Sequence, residues 1–314
     1  MESSMIIGVP KELKAFEGRA GLDPLGVLAL IRENRIVLVE NSAGALAGFS
    51  DEEYIKAGAN ICSRKKLWES AELIVKVKEP LPEEYPFFRN GLTIMAFFHF
   101  SANSELKEKC ASAGINAIPY EEIQTSNGEK PILKAMSVIA GEVAVDMAVQ
   151  YLRTEYGRRG ILMSDAVVTI IGALGNVGSR AHSLLKNRAK RIYILDNRGA
   201  RPATPENIVE AISKSDIVIG AAVNKAGGAP HLITRDMVKR MRPGSVLIDV
   251  AIDEGGISET SRPTTYANPY YFDEGVIHVC VANLPGGVPR SATPRLVNES
   301  LPYIMGVASG INIL

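Results

Sequence analysis

The 314-residue chain lacks the features that mark several large classes of protein. Its three cysteines, Cys62, Cys110 and Cys280, are far apart and fit no CxxC spacing, which predicts free or buried thiols instead of disulfides or a zinc site. No apolar run reaches the roughly 18 residues of a membrane span, and no basic region followed by a long apolar one begins the sequence. We therefore expect a cytoplasmic protein that has no structural metal and does not bind a membrane.

The chain also lacks an excess of charge of either sign and any low-complexity stretch. Its 35 basic and 35 acidic side chains cancel, and basic clusters such as Lys186 to Arg191 are short. Nucleic acids attract strongly basic surfaces, so a nucleic-acid partner is not expected. With 46% hydrophobic residues, the chain is long enough for two globular domains, each with its own core.

The most informative stretch that is present runs from Val167 to Ala181, VVTIIGALGNVGSRA. It predicts a strand, a tight turn and the start of a helix, an arrangement in which backbone N–H groups and the helix dipole bind a pyrophosphate. The glycines follow an AxGxxG form of the dinucleotide fingerprint. The predicted cofactor-binding residues of this turn are Ala173, Gly175, Asn176, Val177 and Gly178. The alternative is an ordinary strand–helix turn in which glycine allows close packing.

Asp196 strengthens the prediction of a nicotinamide dinucleotide site. It follows the next β-like run, Arg191 to Leu195, about 20 residues after the turn, where a carboxylate accepts hydrogen bonds from the adenosine ribose. Such a carboxylate repels a 2′-phosphate, which favours NAD as the cofactor. Arg198 could instead accept that phosphate, so NADP is the alternative.

Short apolar runs alternate with amphipathic segments in both halves of the chain, as in parallel sheets covered by helices. The first series predicts strands at Met5 to Val9, Ile36 to Val39, Leu73 to Val77, Ile94 to Phe98 and Ile115 to Pro119. The second predicts them at Val167 to Ile171, Arg191 to Leu195, Ile217 to Ala221, Val246 to Ile252 and Ile277 to Val281. We predict an α/β fold of two doubly wound parallel-sheet domains, the second Rossmann-like, with a cleft between them.

Local capping signals predict where three helices begin. Asp23 followed by Pro24 is a cap and first helical residue, and Ser50 with Glu53 forms a capping box. Ser137 is expected to cap a long helix that links the two domains.

Four polar residues lie where predicted strands end, the position at which open parallel sheets bind ligands. Arg19 offers a donor fork to a substrate carboxylate, and Lys78 offers a charge to a carbonyl or imine group. His99 can transfer a proton. Asp253, at the end of the run from Val246, could orient water or ammonia and favour a developing cation.

Each of these residues also has an ordinary alternative. Arg19 could be a solvated loop charge, and Lys76 and Lys78 could be exposed charges on an edge strand. His99 could be a core histidine with a satisfied ring, and Asp253 could only shape a turn. Their shared placement at strand ends favours a site for an anionic substrate that carries an ionisable nitrogen.

At these residues the chain resembles the alanine dehydrogenase and transhydrogenase N-terminal superfamily, over nearly its whole length. The matching strings include IIGVPKELKAFEGRAGLDPLGV, LIVKVKEP, IMAFFHFSAN, MVKRMRPGSVLIDVAIDEGGISETSRPTTY and HVCVANLPGGVPRSAT. The resemblance implies that Arg19 and Lys78 bind the substrate, that His99 is the acid/base, and that Asp253 is a catalytic partner. It also implies that Asn283 lines the nicotinamide side of the cofactor site.

The resemblance further implies the reaction and the domain boundaries. The reaction is reversible NAD-linked oxidative deamination of an L-amino acid, through an imine, to an oxo acid and ammonium. The enzyme would be a homo-oligomer. Residues 1–133 would form a substrate domain completed by residues 290–314, and residues 134–289 would bind the dinucleotide. A last helix, from Pro294 to about Met305, would belong to the completing segment.

Departures from the family pattern leave two other functions open. The GALGNVG turn is closer to the saccharopine dehydrogenase branch, which favours an imine reductase or opine-type dehydrogenase with a larger substrate. Only 19 residues separate Asp196 from Asp216, so one unit of the dinucleotide fold is expected to be missing. The linker helix reads MSVIAGE where the family has MSEVAGR, which changes the charge at Val138 and Glu142. The third possibility is a non-catalytic dinucleotide-binding protein.

Overall fold

The apolar runs of the sequence form the strands of two sheets in a computed structural model that describes residues 4–100, 103–153, 160–224, 228–311 and 313. The chain divides into two units, one of Met1–Met136 with Gly286–Leu314 and the other of Ser137–Pro285. Each unit contains one sheet and the helices that cover it, as expected of an α/β fold.

The sheet of the first unit has six strands among the described residues, all parallel, in the order β3-β2-β1-β4-β5-β6. The strands are β1 (Ile6–Val9), β2 (Ile36–Glu40), β3 (Asn60–Cys62), β4 (Leu73–Lys78), β5 (Thr93–Phe97) and β6 (Asn116–Pro119). The sequence did not predict β3, because this edge strand has three residues and none of them is fully buried. The central strand β4 is buried along its whole length and includes Lys78 as its last residue.

The sheet of the second unit also has six strands in the described part of the chain, in the order β11-β12-β10-β9-β7-β8. They are β7 (Val167–Ile171), β8 (Arg191–Leu195), β9 (Ile217–Gly220), β10 (Val246–Asp249), β11 (Tyr271–Asp273) and β12 (Val276–Val279). Only β11 is antiparallel. It was not predicted, although Glu274 (φ 50°) and Gly275 (φ 75°) form the two-residue left-handed turn typical of a hairpin.

Nine helices connect and cover the strands within the described residues. They are α1 (Pro24–Arg32), α2 (Asp51–Lys56), α3 (Arg64–Ser70), α4 (Ser104–Ser112), α5 (Pro131–Arg153), α6 (Asn176–Leu185), α7 (Pro205–Ile212), α8 (Arg235–Val238) and α9 (Pro289–Ala308). No helix in these described ranges combines the length and the apolar character needed to cross a membrane.

The predicted caps of α1 and α2 are confirmed, whereas the predicted starts of the two long helices are wrong. The Asp23 carboxylate accepts from the Gly26 N–H at 2.8 Å, and the capping box at the start of α2 is complete. Helix α5 begins at Pro131, six residues before Ser137, because proline favours the first helical position and Ile132 and Met136 are buried on the added turns. Helix α9 begins at Pro289, not at Pro294.

The predicted shortening of the dinucleotide fold is visible next to β8. All residues from Asp196 to Asp216 are described, and between β8 and β9 the chain makes the single helix α7 and no strand. Strand β8 is therefore an edge of the sheet.

Each sheet packs against helices through its own apolar core. In the first unit, Trp68 of α3 packs with Ile74 of β4 and Ile94 of β5. In the second unit, Ile208 of α7 packs with Leu247 of β10. The three cysteines are free thiols, as the sequence predicts.

Candidate functional site

Arg19 is buried and held in one orientation by Glu17, so the alternative of a solvated loop charge is wrong. Its exposed fraction is 2% and that of Glu17 is 3%. The Arg19 Nε donates to Glu17 Oε1 at 2.7 Å, Nη2 donates to Glu17 Oε2, and Nη1 lies 3.1 Å from the Met136 Sδ. The loop that carries Arg19 runs directly over β4, since a Cβ on Gly21 would lie 2.2 Å from the Val75 carbonyl oxygen.

Lys78 and His99 meet beyond the carboxyl ends of the neighbouring central strands β4 and β5. Lys78 pairs with Phe97 in the strand register, and its Nζ lies 3.2 Å from His99 Nε2. The lysine is 8% exposed and β4 lies inside the sheet, so Lys78 is not an exposed edge charge. The His99 ring is half-buried and stacks on Phe97 with centroids 6.0 Å apart.

The backbone of His99 is left-handed, with φ of 51°. Few residues other than glycine adopt this conformation, and it costs roughly 1–3 kcal/mol. Glu121 opposes that cost, because its carboxylate accepts from the His99 N–H at 2.6 Å and from the Phe98 N–H at 3.3 Å. Burial raises the pKa of Glu121, and these N–H donors oppose the increase.

Lys76, two residues before Lys78 on β4, lies in a buried ionic cluster. Its Nζ is 2.8 Å from Glu84 Oε1 and 3.4 Å from Glu12 Oε2, and none of its surface is exposed. Glu12 also accepts from the Val77 N–H at 2.7 Å, beside an irregularity in the pairing of β4 with β5. Burial raises the pKa of Glu12 to about 7, although the Lys76 ammonium lowers it. The cluster thus fixes the backbone at the end of β4.

In the second unit, the glycines of the turn after β7 have different structural reasons. Gly172 has φ of 80°, and a Cβ on Gly178 would lie 2.4 Å from the Gly172 carbonyl oxygen, so the fold itself requires both. Gly175, the N-cap of α6, has an ordinary φ of −76°, and a Cβ there would meet no atom closer than 3.4 Å. The chain's own packing therefore does not explain glycine at 175, but the approach of a ligand to the turn would.

Asp196 lies beside this turn, as its spacing predicts, but it is already engaged by Arg198. Its carboxylate accepts from the Leu174 N–H at 2.9 Å and from Arg198 Nε and Nη2, each at 3.0 Å. The hydrogen bond from the Arg198 guanidinium is the largest of the effects that lower the pKa of Asp196 to about 2.

Asp253 and Asn283 are brought together in the second unit, although Asp253 is not at the end of a strand as predicted. Strand β10 ends at Asp249, and Asp253 lies in the short 3₁₀ helix Ile252–Glu254 that follows. The Asn283 N–H donates to Asp253 Oδ2 at 3.1 Å. They meet because β10 and β12 are neighbours and both residues follow the carboxyl ends of those strands.

Four carboxylates were not predicted from the sequence: Glu17, which holds Arg19, Glu121, which holds His99, and Glu12 and Glu84, which hold the end of β4. One available signal was the pair of acidic residues that precede Arg19 in PKELKAFEGR. Of the residues that depart from the family pattern, Glu142 forms an ion pair with Arg180 of α6 at 2.8 Å. Among the described side chains, no group of three or more His, Cys, Asp or Glu is placed to hold a metal ion.

Two protein-family models match the chain one after the other. Alanine dehydrogenase/PNT, N-terminal domain, matches residues 8–140, and Alanine dehydrogenase/PNT, C-terminal domain, matches residues 144–312. The chain belongs to the alanine dehydrogenase/PNT family.

Curated members of the alanine dehydrogenase/PNT family are similar along almost the entire chain. The alanine dehydrogenase of Bacillus subtilis (strain 168) is 41% identical over 97% of this chain and 86% of its own length. That of Halomonas elongata is 40% identical over 97% of this chain and 88% of its own length.

Solved structures of the family share the fold. An L-alanine dehydrogenase has a TM-score of 0.90 and 37% identity, covering 97% of this chain and 90% of its own. A transhydrogenase from Sinorhizobium meliloti has a TM-score of 0.87 and 26% identity, covering 98% and 94%.

Proposed function

We propose that this protein is an NAD-dependent amino-acid dehydrogenase that interconverts L-alanine or a similar small L-amino acid with its 2-oxo acid and ammonium. The observation that carries the proposal is the contact of Lys78 Nζ with His99 Nε2 at 3.2 Å, at the carboxyl ends of two central strands. A protein that only bound a dinucleotide would have no use for this pair. The close similarity to alanine dehydrogenases supports the same reaction.

In this proposal the first unit handles the substrate. The buried Arg19 guanidinium, oriented by Glu17, binds the substrate carboxylate. Lys78 donates to the carbonyl oxygen or to the corresponding group of the imine, and so stabilises the charge that develops there. His99 accepts a proton as water adds to the imine and returns one in the reverse direction.

The second unit contains the residues that would hold NAD, which supplies hydride transfer at its nicotinamide ring when bound. The turn from Ala173 to Gly178 would hold the pyrophosphate, because Gly175 leaves open space and provides no side-chain cap for the helix N–H groups. Asp196 would bind the adenosine ribose. Asp253 and Asn283 would face the nicotinamide, with Asp253 favouring the cationic nitrogen of the substrate.

The test of the proposed function is a reductive amination assay with NADH, ammonium and a panel of 2-oxo acids. We expect turnover of pyruvate or a close homologue, and a loss of kcat/KM of roughly a hundredfold or more in His99→Gln. His231→Gln is the matched control, because His231 is exposed in a loop of the second unit. Turnover only with primary amines or amino acids in place of ammonium would instead indicate an opine-type dehydrogenase.

The proposal also includes a cytoplasmic homo-oligomer, as inferred from the sequence and its family resemblance. Light scattering coupled to size-exclusion chromatography measures the number of subunits directly. A mass equal to that of a single chain at micromolar concentration would contradict this part of the proposal.

A further inference from the structure

The acceptor capacity of Asp196 is filled by the protein itself. A carboxylate offers about four acceptor positions, and Asp196 uses four: one for the Leu174 N–H, one for the Arg198 backbone N–H, and two for the Arg198 guanidinium. The residue is only 5% exposed. A ribose hydroxyl can therefore bind this carboxylate only if the Arg198 side chain moves away.

Arg198 is placed differently, since it is available to a ligand. Its side chain is 63% exposed, and the hydrogen bonds to Asp196 occupy Nε and one N–H of Nη2, which leaves Nη1 without an acceptor in the described part of the chain. Nη2 lies 4.0 Å from where a Cβ of Gly175 would be. The guanidinium thus borders the predicted phosphate-binding turn.

The charge of the pair also changes what the ribose site can accept. An unpaired carboxylate at the end of β8 would repel a 2′-phosphate, but here the guanidinium neutralises it through two parallel hydrogen bonds. A planar guanidinium is well suited to donate to phosphate oxygens. Its loop is held in place by the hydrogen bond from Gly199 N–H to the Asp196 carbonyl oxygen at 2.9 Å and by that from Ala203 N–H to Asn197 Oδ1 at 3.0 Å.

We propose that this protein binds NADP(H) as well as NAD(H), and that Arg198 is the residue that recognises the 2′-phosphate. The inference rests on the proposed function, because it assigns a dinucleotide to the turn after β7. In NADP(H) binding, Arg198 keeps its contact with Asp196 and donates its remaining N–H groups to the phosphate. In NAD(H) binding, Arg198 leaves Asp196 so that the ribose hydroxyls take its place.

Fluorescence titration of the full protein with NADH and with NADPH tests the proposal without any turnover. We expect wild-type dissociation constants for the two nucleotides that agree within about tenfold. Arg198→Ala should weaken NADPH binding by roughly tenfold to a hundredfold, the size of a lost charged hydrogen bond, and should leave NADH binding unchanged or tighter. Arg198→Lys keeps the positive charge but loses the planar pair of N–H donors, so its affinity for NADPH should lie between those of the wild type and Arg198→Ala.

Arg191→Ala is the matched control, since Arg191 is an exposed arginine at the opposite end of the same strand. It should alter neither titration. Competition by 2′,5′-ADP gives an independent measurement, because this probe contains the 2′-phosphate and no nicotinamide. It should displace NADH from the wild type at concentrations at least tenfold lower than from Arg198→Ala.

The outcomes separate this inference from the proposed function. Tight binding of NADH with NADPH more than about tenfold weaker would overturn the inference and leave the dehydrogenase proposal intact. Equal weakening of both nucleotides in Arg198→Ala would also overturn it, because Arg198 would then serve a part common to both. Failure of the wild type to bind either nucleotide would overturn the inference and the proposed function together.

Discussion

Replacing Glu121 by glutamine should lower the activity of His99, the proposed acid/base, although the substitution leaves the histidine itself unchanged. The Glu121 carboxylate is the acceptor for the backbone N–H groups of His99 and Phe98. Glutamine keeps the shape of the side chain but has one carbonyl oxygen, and its NH₂ group would face one of the two N–H donors. The left-handed backbone of His99 then loses the contact that holds it.

The size of the effect follows from two opposing terms. A hydrogen bond to a charged acceptor contributes about 1.5–3 kcal/mol, and the left-handed conformation costs roughly 1–3 kcal/mol. When the hydrogen bond to Glu121 is lost, nothing offsets the cost of the left-handed backbone, so the His99 ring should leave its position beside Lys78. A loss of about 2 kcal/mol of transition-state stabilisation corresponds to a fall of about 30-fold in kcat/KM.

Steady-state kinetics of Glu121→Gln, with pyruvate, ammonium and NADH, measures this fall. The matched control is Glu122→Gln, because Glu122 is the next residue and is exposed. NADH affinity by fluorescence titration should be unchanged in both variants, since Glu121 lies in the first unit and the dinucleotide turn in the second. A Glu121→Gln enzyme with kcat/KM within threefold of wild type would refute the assignment of Glu121 as a positioning residue.

Three further predictions concern the two units separately. The pKa of Glu12 is raised to about 7 from a usual 4.5, so between these pH values the folded protein retains a proton that the unfolded chain loses, and the free energy of unfolding should fall by roughly 3 kcal/mol as pH rises from about 4.5 to 7. Denaturant unfolding of Glu12→Gln across this range should show a shallower fall of the unfolding free energy with pH, and a fall as steep as that of the wild type would contradict the raised pKa. Gly175→Ala should weaken NADH binding at least tenfold and change the unfolding free energy by less than about 1 kcal/mol, and equal NADH affinity in this variant and the wild type would argue against a phosphate at this turn. Gly178→Ala should instead lower the melting temperature sharply, because its Cβ would lie 2.4 Å from a carbonyl oxygen. Asp23→Ala should cost about 1 kcal/mol of unfolding free energy through the lost cap of α1, as measured by urea titration, and an unchanged midpoint would show that the cap contributes nothing.

Features that depend on neighbours along the chain could be predicted from the sequence. The strand, turn and helix around Gly175 were predicted with the observed strand bounds, because apolar runs and glycine spacing are local signals. The caps at Asp23 and Ser50 were predicted for the same reason. The errors lie at boundaries: α5 starts before Ser137, and β10 ends at Asp249, although the apolar residues Val250 to Ile252 continue the run.

Partners that come from distant parts of the chain could not be predicted. Glu12 meets Lys76 and Glu121 meets His99 only because the order of the strands places their loops together. The pairing of Arg198 with Asp196 joins residues only two positions apart, but it could not be predicted either, because it depends on the conformation of the turn that follows β8.

The sequence by itself determined the two α/β sheets, the glycine turn and, through its family resemblance, the identities of the candidate residues. The tertiary structure alone decided that Arg19 is a buried charge paired with Glu17, that Lys78 is buried with its Nζ beside His99, and that the Asp196 carboxylate is already occupied. The physical reason is that secondary structure follows from local apolar periodicity, whereas a buried charge is stable only with a partner, and the folded chain decides which side chains are buried and which lie close enough to pair.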